Sequence, residues 1–188
     1  MDKFRWAHIH GNWFAIWGVL NLIGYGIHLY ARPDNYNYYF SYTGEGYRLS
    51  QSLKSMVASD NWLNIAWTAP SLIGLNFYLH QRLGSLFMTK FFVISLVSSF
   101  FFLTTFNPKT GLNFRPLHGM FPKFDSDAND GSYLMGASPM ALSIIYFTLL
   151  YHRLWMVALP LMVADTLYFG PAAAGGPVAA LVSALILI

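Results

Sequence analysis

The sequence predicts an all-α integral membrane protein, a bundle of six transmembrane helices forming a single domain over residues 1–188. Three observations carry this. Of the residues, 55% are hydrophobic and only 10% charged, with a mean hydropathy of +0.41, too apolar and charge-poor for a soluble domain. Apolar segments of helical length recur along the chain, separated by polar or Pro- and Gly-marked breaks. The last three segments are joined by very short turns, so they should be antiparallel neighbours in one bundle.

The amino end leads into an apolar stretch too long for a signal-peptide core and without a small-residue cleavage site, so the first helix is expected to stay in the mature protein. That helix covers about 13–31 and stops at Arg32-Pro33, where charge and proline mark the exit from the membrane. The loop 32–60 carries Tyr36, Tyr38, Tyr39, Phe40 and Tyr42, the composition of a segment at headgroup depth. A second helix is expected over 61–78, ending in a turn at His80-Gln81-Arg82-Leu83-Gly84-Ser85, and a third over 86–106, with Lys90 able to snorkel to the interface.

Residues 107–133 are rich in Pro, Gly, Asp and Asn and lack helical periodicity. Helices over 134–151, 154–169 and 171–188 complete the bundle. Basic residues are denser in the short connections than in the two long loops, which favours both termini inside and the long loops outside.

Composition also excludes. The chain has no cysteine, so disulfides, thiolate catalysis and cysteine-bound metals are ruled out. The net charge of +3 comes from 11 basic and 8 acidic residues without a basic cluster, so no nucleic-acid partner is expected.

The segment Gly136-Ala137-Ser138-Pro139 opens the fourth helix. Ser138 sits where an N-cap belongs and Pro139 suits the first helical position. Ala172, Gly176, Ala180 and Ala184 recur every four residues, putting small side chains on one face of the sixth helix; Ala137 and Ala141 offer a shorter small face on the fourth. Small faces let membrane helices approach backbone to backbone, so replacing Gly176 with leucine should break this contact. Asp165 is the one acid expected at membrane depth, with His28 or a helix-terminal N–H as its partner, or else a place near the outer interface.

The order of these features resembles the rhomboid family of six-helix intramembrane serine proteases. His80-Gln81-Arg82-Leu83-Gly84-Ser85 is similar to the family's Glu-x-x-x-Gly-Ser, Gly136-Ala137-Ser138-Pro139 to Gly-x-Ser-Gly, and Ala172-Ala173-Ala174-Gly175-Gly176 to Ala-His-Leu-Gly-Gly; Tyr47-Arg48 weakly resembles a Trp-Arg pair. The resemblance covers most of the chain and implies a serine–histidine dyad, but it places Ala173 where the histidine belongs. Serine needs an adjacent base to become a nucleophile, and losing that base costs about a million-fold in a serine hydrolase.

The family's His-x-x-x-Asn falls on Asn64 and Thr68, and Pro139 replaces the glycine after the serine. His8, His10, His80 and His152 are expected across the membrane from Ser138. His28 and His118 are on its side, and a base must be held within hydrogen-bond reach, which a loop position does not by itself give His118.

These readings imply a pseudoprotease: Ser138, Ala173, Asn64 and Thr68 are vestigial positions with no catalytic residue among them. The expected function is that of a non-catalytic structural or accessory subunit of a larger membrane complex, with a mitochondrial respiratory or ATP synthase assembly in the inner membrane as a candidate home. The alternatives are a regulator of membrane-protein trafficking or degradation, and a residual intramembrane serine hydrolase using Ser138. Expected partners are other membrane-protein subunits and lipids. No cofactor or metal is expected beyond structural lipid, because facing axial histidines cannot be built from His28, His80 and His152.

Overall fold

A computed structural model describes residues 10–30, 53–54, 56–58, 62–106 and 137–187. The expectations for His8, the aromatic run 36–42, Tyr47-Arg48, His118 and Gly136 lie outside the described residues. The principal described elements are helices. Helix α1 is Trp13–Tyr30 and α2 is Trp62–Pro70. A π-helical turn, Ser71–Leu75, leads into α3, Asn76–Thr105. Then come α4, Ser138–Tyr151, α5, Trp155–Phe169, a 3-10 turn, Pro171–Ala174, and α6, Gly175–Leu187. The fold class is all-α among the described residues.

One described stretch is by length and composition able to cross a membrane: the 44 residues Trp62–Thr105. Two features interrupt it. Pro70 has no N–H to donate, and the chain widens into the π turn directly after it. At Gly84 the backbone has φ 77° and ψ 167°, a conformation open essentially to glycine alone, and the helix breaks.

Contacts with α1 give the direction of each arm. Asn21 bonds Thr68, Gly18 abuts Leu72, Asn12 bonds Asn76, and Gly11 lies against both His80 and Ser85. Beyond Gly84 the order inverts: Trp13 bonds Thr89 and lies against Phe92, and Trp17 also meets Phe92. The 62–83 arm is therefore antiparallel to α1 and the 85–105 arm parallel to it.

Helix α6 runs parallel to α4. Gly176 abuts Pro139 and Ser143 near the start of both, and Ala184 and Leu187 share a cleft with Phe147, Leu150 and Tyr151 near the end of both. Gly11, Gly84, the His152-Arg153 turn and Leu187 thus lie at one end of the bundle. Ser138 and Asn64 lie toward the other.

The core is apolar, with a minority of small polar residues buried in it, and large apolar side chains also face outward. Asn21, Thr68, Asn76, Ser95, Ser99, Ser143 and Ser183 are all buried, while Leu22, Ile23, Val97, Phe101, Val163 and Leu185 are exposed. The centre is an aromatic stack. Phe91 lies 4.9 Å from Phe14 and 4.6 Å from Phe147, centroid to centroid, and ties α1, the 85–105 arm and α4 together. Each such pair is worth about 0.5–1.5 kcal/mol beyond the area it buries.

Several boundaries differ from the sequence reading. The second helix does not end at 78 but runs on to Gly84, so the expected turn at 80–85 shrinks to one residue. His80, 3.2 Å from the His10 carbonyl oxygen, and Arg82, 4.3 Å over the Tyr78 ring, hold that last turn in place. The sixth segment begins as a 3-10 turn because Gly170, at φ 82°, stops α5 and the Ala173 N–H then reaches back to the Gly170 carbonyl. Ala137, not Ser138, takes the cap position of α4, and Ser138 and Pro139 are its first two helical residues. The neighbours also differ: α6 packs most extensively on α4 and the 85–105 arm, while α5 rests on α4 and the 3-10 turn.

Candidate functional site

Ser138 is placed by the start of α4, where Pro139 costs the helix no internal hydrogen bond because the first N–H groups have no intrahelical partner. Its Oγ donates to Asn64 Oδ1 at 3.0 Å, which is why it makes no cap. Asn64 stands in the first turn of α2, with Thr68 one turn further on. The Thr68 hydroxyl has a single proton to give and lies 2.9 Å from Asn21 Oδ1 and 2.8 Å from the Asn64 carbonyl oxygen. Asn21 in turn donates from Nδ2 to the Val57 carbonyl at 2.9 Å. A polar ladder therefore runs from α4 through α2 to α1 and the 56–58 segment.

The ladder joins Ser138, Asn64 and Thr68, three of the four positions that the resemblance selects. An amide oxygen accepts the serine's proton in a hydrogen bond but does not remove it, so Asn64 holds Ser138 without activating it. Thr68 is fully buried and its hydroxyl faces α1, not a point in front of Ser138.

Ala173 is buried in the 3-10 turn and presents a methyl group. Among the described histidines, His80 Nε2 lies 3.2 Å from the His10 carbonyl oxygen and His152 Nε2 lies 2.7 Å from the Tyr78 hydroxyl, these three at the opposite end of the bundle, whereas His28 stands in the last turn of α1, toward the Ser138 end, with its ring against Tyr25. Ser138 and His152 are separated along α4 by about 20 Å at 1.5 Å per residue.

The small-residue face lies in a tight interface. Ala137, Ala141, Ala172, Gly176, Ala180 and Ala184 are all buried. A Cβ on Gly176 would collide with the Pro139 carbonyl and come within 3.2 Å of the Ser143 nitrogen. Its neighbour Gly175, which the fourfold spacing passes over, is equally tight: a Cβ there would lie 2.5 Å from the Ser99 Cα and 2.8 Å from its nitrogen. The double glycine is a wedge, one residue against α4 and the other against the 85–105 arm. The adjacent Gly-Gly in the sequence was the available signal for it.

Asp165, on α5, accepts a short hydrogen bond from the Tyr146 hydroxyl of α4. Its described partner is this tyrosine, in place of the expected His28 or helix-terminal N–H. Tyr146 is itself almost wholly buried, so its hydroxyl needs an acceptor, and the carboxylate supplies one. Among the described residues no three His, Asp or Glu side chains gather as a metal site would require.

Comparison with known proteins finds no family model, no curated protein and no solved structure that matches this chain.

Proposed function

We propose that this chain is a rhomboid-like membrane protein of six spans that has no catalytic activity and serves as a structural or accessory subunit of a larger membrane complex. Six spans follow if the two arms of Trp62–Thr105, each about 30 Å long at 1.5 Å per residue, cross separately on either side of Gly84. The 18 residues of α1 and the shorter apolar helices at 138–151, 155–168 and 171–187 would supply the other four. The outward apolar faces of α1, α3, α5 and α6 support residence in lipid.

The single observation that carries the reading is the contrast at the start of α4. Ser138 is tied to Asn64, and the resemblance puts a methyl group where a base should stand. Yet the double-glycine wedge beside it packs α6 against α4 as closely as backbones allow. A helix contact that would position a dyad is present without the dyad, which suits a scaffold. A mitochondrial inner-membrane assembly of the respiratory or ATP synthase kind is the setting we favour among large membrane complexes.

Solubilising the source membrane gently, resolving it on a native gel and identifying the co-migrating chains by mass spectrometry tests this. Migration in a large assembly at fixed stoichiometry is expected. Migration alone or as a small oligomer, with transient client crosslinks, would instead favour a regulator of trafficking or degradation. Labelling by a fluorophosphonate that is lost in Ser138→Ala would overturn the non-catalytic reading.

A further inference from the structure

The turn between α4 and α5 contains the one non-glycine residue with a positive φ among the described residues, Arg153 at 62°. The turn closes as a Schellman motif: the Arg153 N–H bonds the Leu150 carbonyl at 2.9 Å and the Leu154 N–H bonds the Leu149 carbonyl at 2.9 Å. Its left-handed position is the one where helices most often place glycine, because a Cβ there is strained. An arginine at such a position is an outlier from which a function can be inferred.

Arg153 lies at an apolar cleft. Phe147, Leu150, Tyr151, Trp155, Ala184 and Leu187 line a volume of about 590 Å³ with it, between the end of α4, the start of α5 and the end of α6. It is a half-open groove, with Arg153 and Leu187 exposed, Tyr151 and Trp155 partly exposed, and Phe147 and Leu150 buried beneath its floor. The cleft sits at the end of the bundle that carries Gly84 and Leu187. Tyr151 and Trp155 beside it are the residue types found at headgroup depth. Arg82 and His152 lie at the same end, each in contact with Tyr78. The one carboxylate among the described residues, Asp165, is about 15 Å away along α5, measured at 1.5 Å per residue, and is bonded to Tyr146.

We propose that this cleft binds one anionic phospholipid, with an acyl chain against Tyr151, Trp155 and Leu187 and the phosphodiester on the Arg153 guanidinium. Charge complementarity selects this occupant. An arginine offers a planar fork that matches phosphate oxygens, and the described lining residues are otherwise apolar or aromatic, with no acid among them. The inference rests on residence in a bilayer and is independent of whether the chain belongs to a larger assembly.

The test uses the full chain, purified in a mild detergent and supplied with palmitoyl-oleoyl phosphatidylglycerol or the matching phosphatidylcholine. Native mass spectrometry should find one phosphatidylglycerol retained, at about tenfold higher occupancy than phosphatidylcholine, a difference typical of one charged contact. Arg153→Gly should lose that retention and also the rise in melting temperature that phosphatidylglycerol gives. Its melting temperature without lipid should equal or exceed that of the parent, because glycine suits the turn, so the loss would not be misfolding.

Lys90→Gln, which removes a charge outside the cleft, should retain lipid as the parent does. Equal retention of the two lipids, unchanged retention in Arg153→Gly, or an equal loss in Lys90→Gln would each overturn the site. A chain that stays monodisperse with no detergent would overturn bilayer residence itself.

Discussion

The Ser138 hydroxyl donates to the Asn64 side-chain oxygen across 3.0 Å, joining the first turn of α4 to the first turn of α2. Ser138 is a helix-to-helix tie, and its loss should be read as a loss of packing.

Ser138→Ala should therefore lower stability by about 1 kcal/mol, the usual net worth of one hydrogen bond, and change no hydrolytic activity. Unfolding in a mixed detergent series and fluorophosphonate labelling of both proteins check this together. Labelling of the parent would contradict it.

The double glycine should tolerate no side chain. Gly175→Ala and Gly176→Ala each force backbone apart, against Ser99 and Pro139 respectively, and each should cost about 1–3 kcal/mol as overpacking does. Gly176→Leu should prevent folding. In membranes the cost is mostly lost close contact, because lipid supplies no hydrophobic drive between helices. Melting temperatures of the three variants give the ranking.

Gly84→Ala separates conformation from crowding. A Cβ at Gly84 would meet nothing within 4 Å, yet its φ of 77° with ψ of 167° is open essentially to glycine alone. The substitution should cost about 1–3 kcal/mol through the backbone alone. Asparagine should not rescue it, since its tolerance is for the left-handed helical region and not for this one. Thermal unfolding of Gly84→Ala and Gly84→Asn decides; parity of either with the parent would show that the chain turns there in another conformation.

Tyr146 and Asp165 should be coupled. A double-mutant cycle of Tyr146→Phe and Asp165→Asn should return about 1 kcal/mol, near the upper part of what interhelical hydrogen bonds in membranes contribute. Additive losses would mean that the pair does not hold α5 to α4.

Much of the architecture was legible from local signals. Gly84-Ser85 and Gly170-Pro171 break helices because glycine and proline act on the residues beside them. The 85–105 arm and α4 to α6 lie within a few residues of where their apolar runs predict. Legibility failed where a neighbour overrode the local preference. His80 and Arg82 extend the second helix past its expected end because each finds a partner, and Ser138 forgoes its cap because Asn64 is nearer to hand.

The candidate site divides in the same way. Asn64, Thr68 and Ser138 could be named from motif spacing, but Asn21 and Tyr146 could not. Nothing in the sequence near Tyr146 says that an aspartate 19 residues on will meet it.

The sequence by itself determined that the described stretches are helical and apolar and that α6 carries a small-residue face. The tertiary structure alone decided which faces meet: α6 on α4 and the 85–105 arm, α5 at the side, and Arg153 beside a cleft. The physical reason is that these helices are apolar on both their exposed and their packed sides, so apolar periodicity does not mark which face turns inward. Their rotation and depth are then set by a few small residues and polar pairs far apart in the chain, and that information exists only once the helices are assembled.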